Sequence, residues 1–164
     1  MTRRLMLLAA TVALTGCDSG PAGPLPTDPD QLILYSVDVE TWGRNLGKVT
    51  EDQPKGEVID GYPTFGKVVI TDLGQKRQVL SAIRRAVRNP QEGMGCFSPR
   101  HAVRAIKGGE TVDLVICFHC HNYQHYQGGQ LVSGETPPIS SDPEPLFDKL
   151  LSDAGVPLAP KHTP

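Results

Sequence analysis

The chain has 164 residues, with 16 Lys+Arg against 18 Asp+Glu and a formal net charge of −2; this length holds one domain of ordinary size and excludes two. Apolar residues make up 38% and charged residues 21%, a globular mixture that excludes a polytopic membrane protein. The near-neutral balance creates no general field for nucleic acid, and no such partner is expected.

The chain opens with Arg3 and Arg4, an apolar run over 5–14, and Thr15-Gly16 ahead of Cys17. A charged n-region, a short h-region and small residues at a cut site form a secretory leader over 1–16. An h-region of about ten residues is half of the roughly 20 that a bilayer-spanning helix needs, so this is not a permanent span. Leu14-Thr15-Gly16-Cys17 resembles the lipobox of bacterial lipoproteins. The resemblance implies cleavage before Cys17, acylation of its thiol, and a soluble domain held on the lipid bilayer of the cell envelope. It leaves open the inner or outer membrane, and the periplasm or the surface. Two or more acyl chains hold a protein where one chain is marginal. The plainer alternative is a cleaved leader whose Cys17 is incidental. Loss of the leader removes Arg3 and Arg4 and no acid, taking 16 cations to 14 against 18 carboxylates, a net of −4. Residues 17–31 hold the anchor cysteine and then Pro21, Pro24, Pro26 and Pro29 without apolar periodicity. That composition reads as a polyproline II tether, long enough to lift the domain up to roughly 40 Å from the lipid.

Residues 32–157 read as a single domain. The apolar run 32–37 suits a buried strand, and 42–62, with five Gly and Pro among scattered charges, reads mainly as loop. A strand pattern returns at 65–71, and Thr71 or Asp72 can cap a helix over about 73–87, where Leu73, Leu80, Ile83 and Val87 line one face. Asn89-Pro90 ends it. Lys76, Arg77, Arg84, Arg85 and Arg88 occupy its other faces; the ordinary reading is a solvated face, the alternative an anion or lipid-headgroup patch. No aromatic residue interleaves with these charges, so base stacking has no support.

From 96 to 134 the pattern is β. Gly108-Gly109 suits a tight hairpin turn. Pairing Lys107 with Glu110 sets Val103 opposite Leu114, Ala105 opposite Val112, His101 opposite Ile116 and Arg104 opposite Asp113, so apolar meets apolar and opposite charges meet. Gly128-Gly129 repeats the device with Gln127 opposite Gln130. Leu146, Phe147, Leu150 and Leu151 give a short helix stopped by Gly155, and 158–164 reads as a Pro-rich tail. The expected class is α+β: an antiparallel sheet of about five strands with one long and one short helix.

Three cysteines remain in the domain, Cys96, Cys117 and Cys120. Outside the cytoplasm one disulfide and one odd thiol are the simplest expectation. Alternation on a strand separates Cys117 from Cys120, and a one-residue bulge at Ser98-Pro99 would set Cys96 opposite Cys120, the candidate pair. Cys117, Cys120 and His121 match the C-x-x-C-H pattern of c-type haem attachment, although that pattern closes a β run where a helical turn is the usual setting. Cys117, His119 and His121 alternate onto one strand face, with sulfur and imidazole donors that zinc or copper accepts. Arg100, opposite Cys117, is placed to lower that thiol's pKa. His101 falls on the apolar face, as a core histidine bonded to backbone.

Cys96-Phe97-Ser98-Pro99-Arg100-His101 and the run 113–120, Asp-Leu-Val-Ile-Cys-Phe-His-Cys, are similar to an uncharacterised family of small bacterial secreted proteins and lipoproteins. The similarity spans about 32–157. It implies a fold neighbourhood and no activity, and it implies that the histidines at 119 and 121 are peculiar to this chain, which makes the haem pattern a coincidence. No paired carboxylates, Ser-His-Asp set, phosphate loop or H-E-x-x-H stands out. The reading is therefore a non-enzymatic envelope lipoprotein that binds a partner or ligand. The alternatives are a redox or metal-binding protein using the Cys/His cluster, and an enzyme with Cys117 or His101 as the nearest candidates.

Overall fold

The computed structural model describes residues 23–40, 57–132 and 134–160. The leader, Cys17 and the C-terminal 161–164 lie outside them. Seven strands form one antiparallel sheet: β1 Gln31–Val37, β2 Val58–Ile59, β3 Tyr62–Val69, β4 His101–Lys107, β5 Glu110–Cys117, β6 Asn122–Gln127 and β7 Gln130–Leu131, in the order β2-β3-β1-β4-β5-β6-β7. Among the described residues two helices pack with it, α1 Leu73–Arg88 and α2 Glu144–Asp153. The class is α+β, as expected, but the strands number seven rather than about five. The additional edge strands, β2 and β7, have two residues each, too few to carry a periodicity.

β1 lies between β3 and β4 and pairs with both. Its Leu32 and Leu34 face the helices, where Val79, Leu80, Ile83 and Ala86 of α1 and Phe147 and Leu151 of α2 meet Val103, Leu114 and Ile116 of the sheet. Its Ile33, Tyr35 and Val37 face the other way, into a smaller cluster with Ile59, Tyr62, Ala102 and Val115. Burial on both faces is why this strand reads as an unbroken apolar run. α1 starts at Asp72, whose Oδ1 accepts from the Gln75 N–H at 2.8 Å. The β4–β5 register runs from Lys107↔Glu110 to His101↔Ile116 as the charge and apolar pairings require. Gly108 and Gly109 have φ of 59° and 86°, which the tight turn demands.

Two boundaries differ from expectation. The proline-rich segment does not stand off as a tether up to residue 31. Leu25 is buried in the helix-side core, the Asp30 N–H donates to the Ile106 carbonyl at 2.8 Å, and Asp30 Oδ2 accepts from the Gly108 N–H at 2.8 Å. Prolines in an already extended segment reduce the entropy lost on docking it. At the other end Leu158 packs on the core and Ala159 is buried, its carbonyl accepting from Arg100 Nη2. No helix among the described residues is long and apolar enough to cross a membrane.

Candidate functional site

The sheet is rolled, and its inner face holds a hydrogen-bonded polar cluster built by five strands. The alternation that sends Val103 and Leu114 to the helices sends Arg104 and Asp113 inward, directly opposite one another. Arg104 donates to Asp113 through Nε–H to Oδ1 and Nη2–H to Oδ2, both at 2.8 Å. This two-pronged geometry fixes both side chains. Asp113 is only 1% exposed, and both of its carboxyl oxygens are met by the guanidinium. Tyr35 of β1 lies between two cations, with Lys67 Nζ at 6.0 Å and Arg104 Cζ at 5.9 Å from its ring centre. Its hydroxyl donates to Glu57 Oε1 at 3.1 Å, and Lys67 donates to Glu57 Oε2. The hydrogen bond from Lys67 is the largest of the effects that hold Glu57 below the usual carboxylate range. Burial pushes the Tyr35 phenol up to about 12.

The β2–β3 hairpin closes over this face. Tyr62 donates to Gln124 Oε1 of β6 at 3.1 Å, and Tyr126 donates to the same oxygen at 2.8 Å. The turn itself is Asp60-Gly61, with φ of 47° and 88°, a two-residue turn that aspartate and glycine tolerate best. It brings the Asp60 carboxyl close to Asp113, with Asp60 Oδ2 buried and without a hydrogen-bond partner. Burial first, then the neighbouring Asp113 carboxylate, push Asp60 up to about 7, with Arg104 pulling the other way. The cluster can therefore take up or release one proton near neutral pH, which general acid–base chemistry and proton-linked binding both use.

Because the folded-state pKa of Asp60 stands above its ordinary 3.8, its contribution to stability is complete below about pH 4 and is lost as pH rises to about 7. Asparagine tolerates the same positive φ, so Asp60→Asn keeps the turn and removes the titration. Urea unfolding of both proteins between about pH 5 and pH 8 should show a decline in the parent that is shallower in Asp60→Asn, by at most about 1.4 kcal/mol per pH unit.

The residues singled out from sequence lie elsewhere. A disulfide joins Cys96 to Cys120. No bulge in a ladder brings them together, because β4 begins only at His101. Instead the segment before it runs beside the 118–121 turn, where the Met94 N–H donates to the Cys120 carbonyl at 2.9 Å and Asn122 Nδ2 donates to the carbonyls of Met94 and Cys96. β5 ends at Cys117, so the alternation proposed for Cys117, His119 and His121 does not continue: Cys117 is buried, His119 is exposed, and His121 sits at a φ of 52° with Nδ1 3.2 Å from the Glu92 carbonyl oxygen. Among the described residues no group of three or more His, Cys, Asp or Glu is arranged to hold a metal ion. In the C-x-x-C-H pattern the second sulfur is bonded to Cys96.

Among the described residues Cys117 is the free thiol. Burial pushes it up, with Glu144 adding to the rise, and its Sγ accepts from the Cys120 N–H at 3.1 Å. Arg100 does not activate it; that guanidinium pairs with Glu144 at 3.1 Å. His101 is buried as expected, but its partner is a side chain: Nε2 lies 2.9 Å from Asp148 Oδ1, and the ring packs against Phe118 and Phe147. This pair ties β4 to α2.

Sequence reasoning found no paired carboxylates, yet Asp60 and Asp113 are such a pair. The register had set Asp113 against Arg104, and Asp-Gly between Ile59 and Tyr62 is a strong hairpin signal that locates Asp60. The roll that superimposes them has no local sequence signal. No family model, no curated protein and no solved structure matches this chain.

Proposed function

We propose that the chain is an envelope lipoprotein, anchored through acylated Cys17, whose small α+β domain binds a polar partner or ligand at the inner face of its rolled sheet. The observation that carries the anchor is Leu14-Thr15-Gly16-Cys17 directly behind a ten-residue apolar run led by Arg3 and Arg4. The Cys96–Cys120 disulfide supports the same reading, since such bonds persist in oxidising compartments. What supports binding at the inner face is the convergence there of Tyr62, Tyr126, Gln124 and Arg104 around a carboxyl pair. A few convergent polar groups among aromatic side chains orient ligands in many sites.

Intact-mass measurement of the membrane-fraction protein tests the anchor. The expected mass is that of a chain starting at Cys17 and carrying diacylglycerol on sulfur. With Cys17 acylated and Cys96 paired to Cys120, denaturation without reductant exposes one titratable thiol, Cys117. A second thiol, or an unmodified Cys17, overturns the anchor. For the inner face, a strain carrying Asp60→Asn, with normal folding of the variant verified, should reproduce the phenotype of a strain deleted for the protein. A phenotype identical to that of the parent removes this face from the function.

A further inference from the structure

We propose that the solvent face of α1 is a docking surface for an anionic phospholipid bilayer, laying the domain against the membrane that anchors it. The inference rests on the acylation of Cys17 proposed above, and two structural observations carry it further.

The first is where the chain enters the domain. Gly23 packs on Arg84 of α1, with a Cβ built at Gly23 falling 3.6 Å from Arg84 Cγ. Leu25 is already in the core. Only six residue steps separate Cys17 from Gly23, and six steps reach about 20 Å even when fully extended. The anchor point therefore lies within about 20 Å of α1, a short tether that keeps this helix next to the lipid surface.

The second is the charge on that helix. Arg77, Arg84 and Arg88 fall on one stripe at spacings of seven and four, opposite the buried Val79, Ala82, Ile83 and Ala86, with the exposed Arg85 beside them. Lys76 donates to the Asp30 carbonyl and Arg85 to Ser81 Oγ. No Asp or Glu occurs between residues 73 and 88; the nearest acids in sequence are Asp72, at the N-cap, and Glu92. The mature chain as a whole is acidic, with 14 cations against the 18 carboxylates of the sequence. An anionic surface thus attracts this face and repels the body, which sets orientation as well as contact. Tethering places the patch at an effective concentration in the millimolar range, so weak contacts suffice.

The test uses the acylated chain, extracted from membranes and reconstituted into vesicles, with a spin label on Gln78→Cys beside the stripe. Accessibility of the label to a water-soluble nickel complex should fall in phosphatidylglycerol–phosphatidylcholine vesicles relative to phosphatidylcholine alone, and high salt should restore it. The variant Arg77→Gln/Arg85→Gln/Arg88→Gln should lower the docked-to-undocked ratio by about fivefold per arginine. An unchanged melting temperature and unchanged sedimentation with vesicles establish that it is folded and anchored. A label equally accessible in both vesicle types, or a variant indistinguishable from its parent, overturns docking while leaving the anchor standing. A chain that never sediments with vesicles overturns the anchor and docking together.

Discussion

Replacing Arg104 with leucine is expected to destabilise the domain by about 3 kcal/mol, at the low end for breaking a buried pair by removing one partner. The cost arises at Asp113. That carboxylate is 1% exposed and receives both arms of the guanidinium, and without them it faces Asp60 alone in a desolvated setting. Lysine at this position keeps the charge but not the fork, so Arg104→Lys should recover only part of the loss. The double variant Arg104→Leu/Asp113→Leu removes both charges from opposed positions on neighbouring strands and should be more stable than Arg104→Leu. Urea unfolding midpoints of the three variants measure this. A loss below about 1 kcal/mol for Arg104→Leu would place the pair with solvent-screened surface bridges, and the inner face would then be no rigid frame for a ligand.

The Cys96→Ser/Cys120→Ser variant is expected to lose about 3 kcal/mol. The two cysteines are 24 residues apart, and a cross-link closing a loop of that size restricts the unfolded chain by roughly this amount. The loop encloses β4, β5 and the hairpin between them. Unfolding of the parent in reductant should reproduce the variant's midpoint, and reductant should leave the variant unchanged. A parent insensitive to reductant would show that the bond contributes nothing to stability.

How much of this was legible depended on whether the signal was local. The β4–β5 hairpin was readable residue by residue, since two glycines fixed the turn and Arg104 with Asp113 confirmed the register. α1 was readable to within one residue because its cap and terminating proline agree, but its buried face is Val79, Leu80, Ala82, Ile83 and Ala86, and Leu73, expected on that face, is exposed. β2 was missed: two residues have no period, and the informative element was the Asp60-Gly61 turn beside it. The docked segment 23–30 was missed because one leucine among prolines makes no pattern, although Leu25 reaches the core and Asp30 hydrogen-bonds to the β4–β5 hairpin. The polar inner face was missed for a different reason. Asp60, Arg104 and Gln124 come from three separate stretches, and only the curvature of the sheet brings them together. Cys117, His119 and His121 erred the other way: their spacing promised a shared face that the end of β5 removes.

The position of β1 also governs when this domain can form. The first strand among the described residues occupies an interior position in the sheet, third of seven, hydrogen-bonded on one side to residues 64–69 and on the other to residues 101–106. Such long-range pairings form slowly, and this interior strand has no second neighbour until the chain beyond residue 100 is available. Under the export proposed above, a polypeptide emerging N-terminus first through a translocation pore would stay unfolded while most of its length is threaded, which is the condition that threading itself requires.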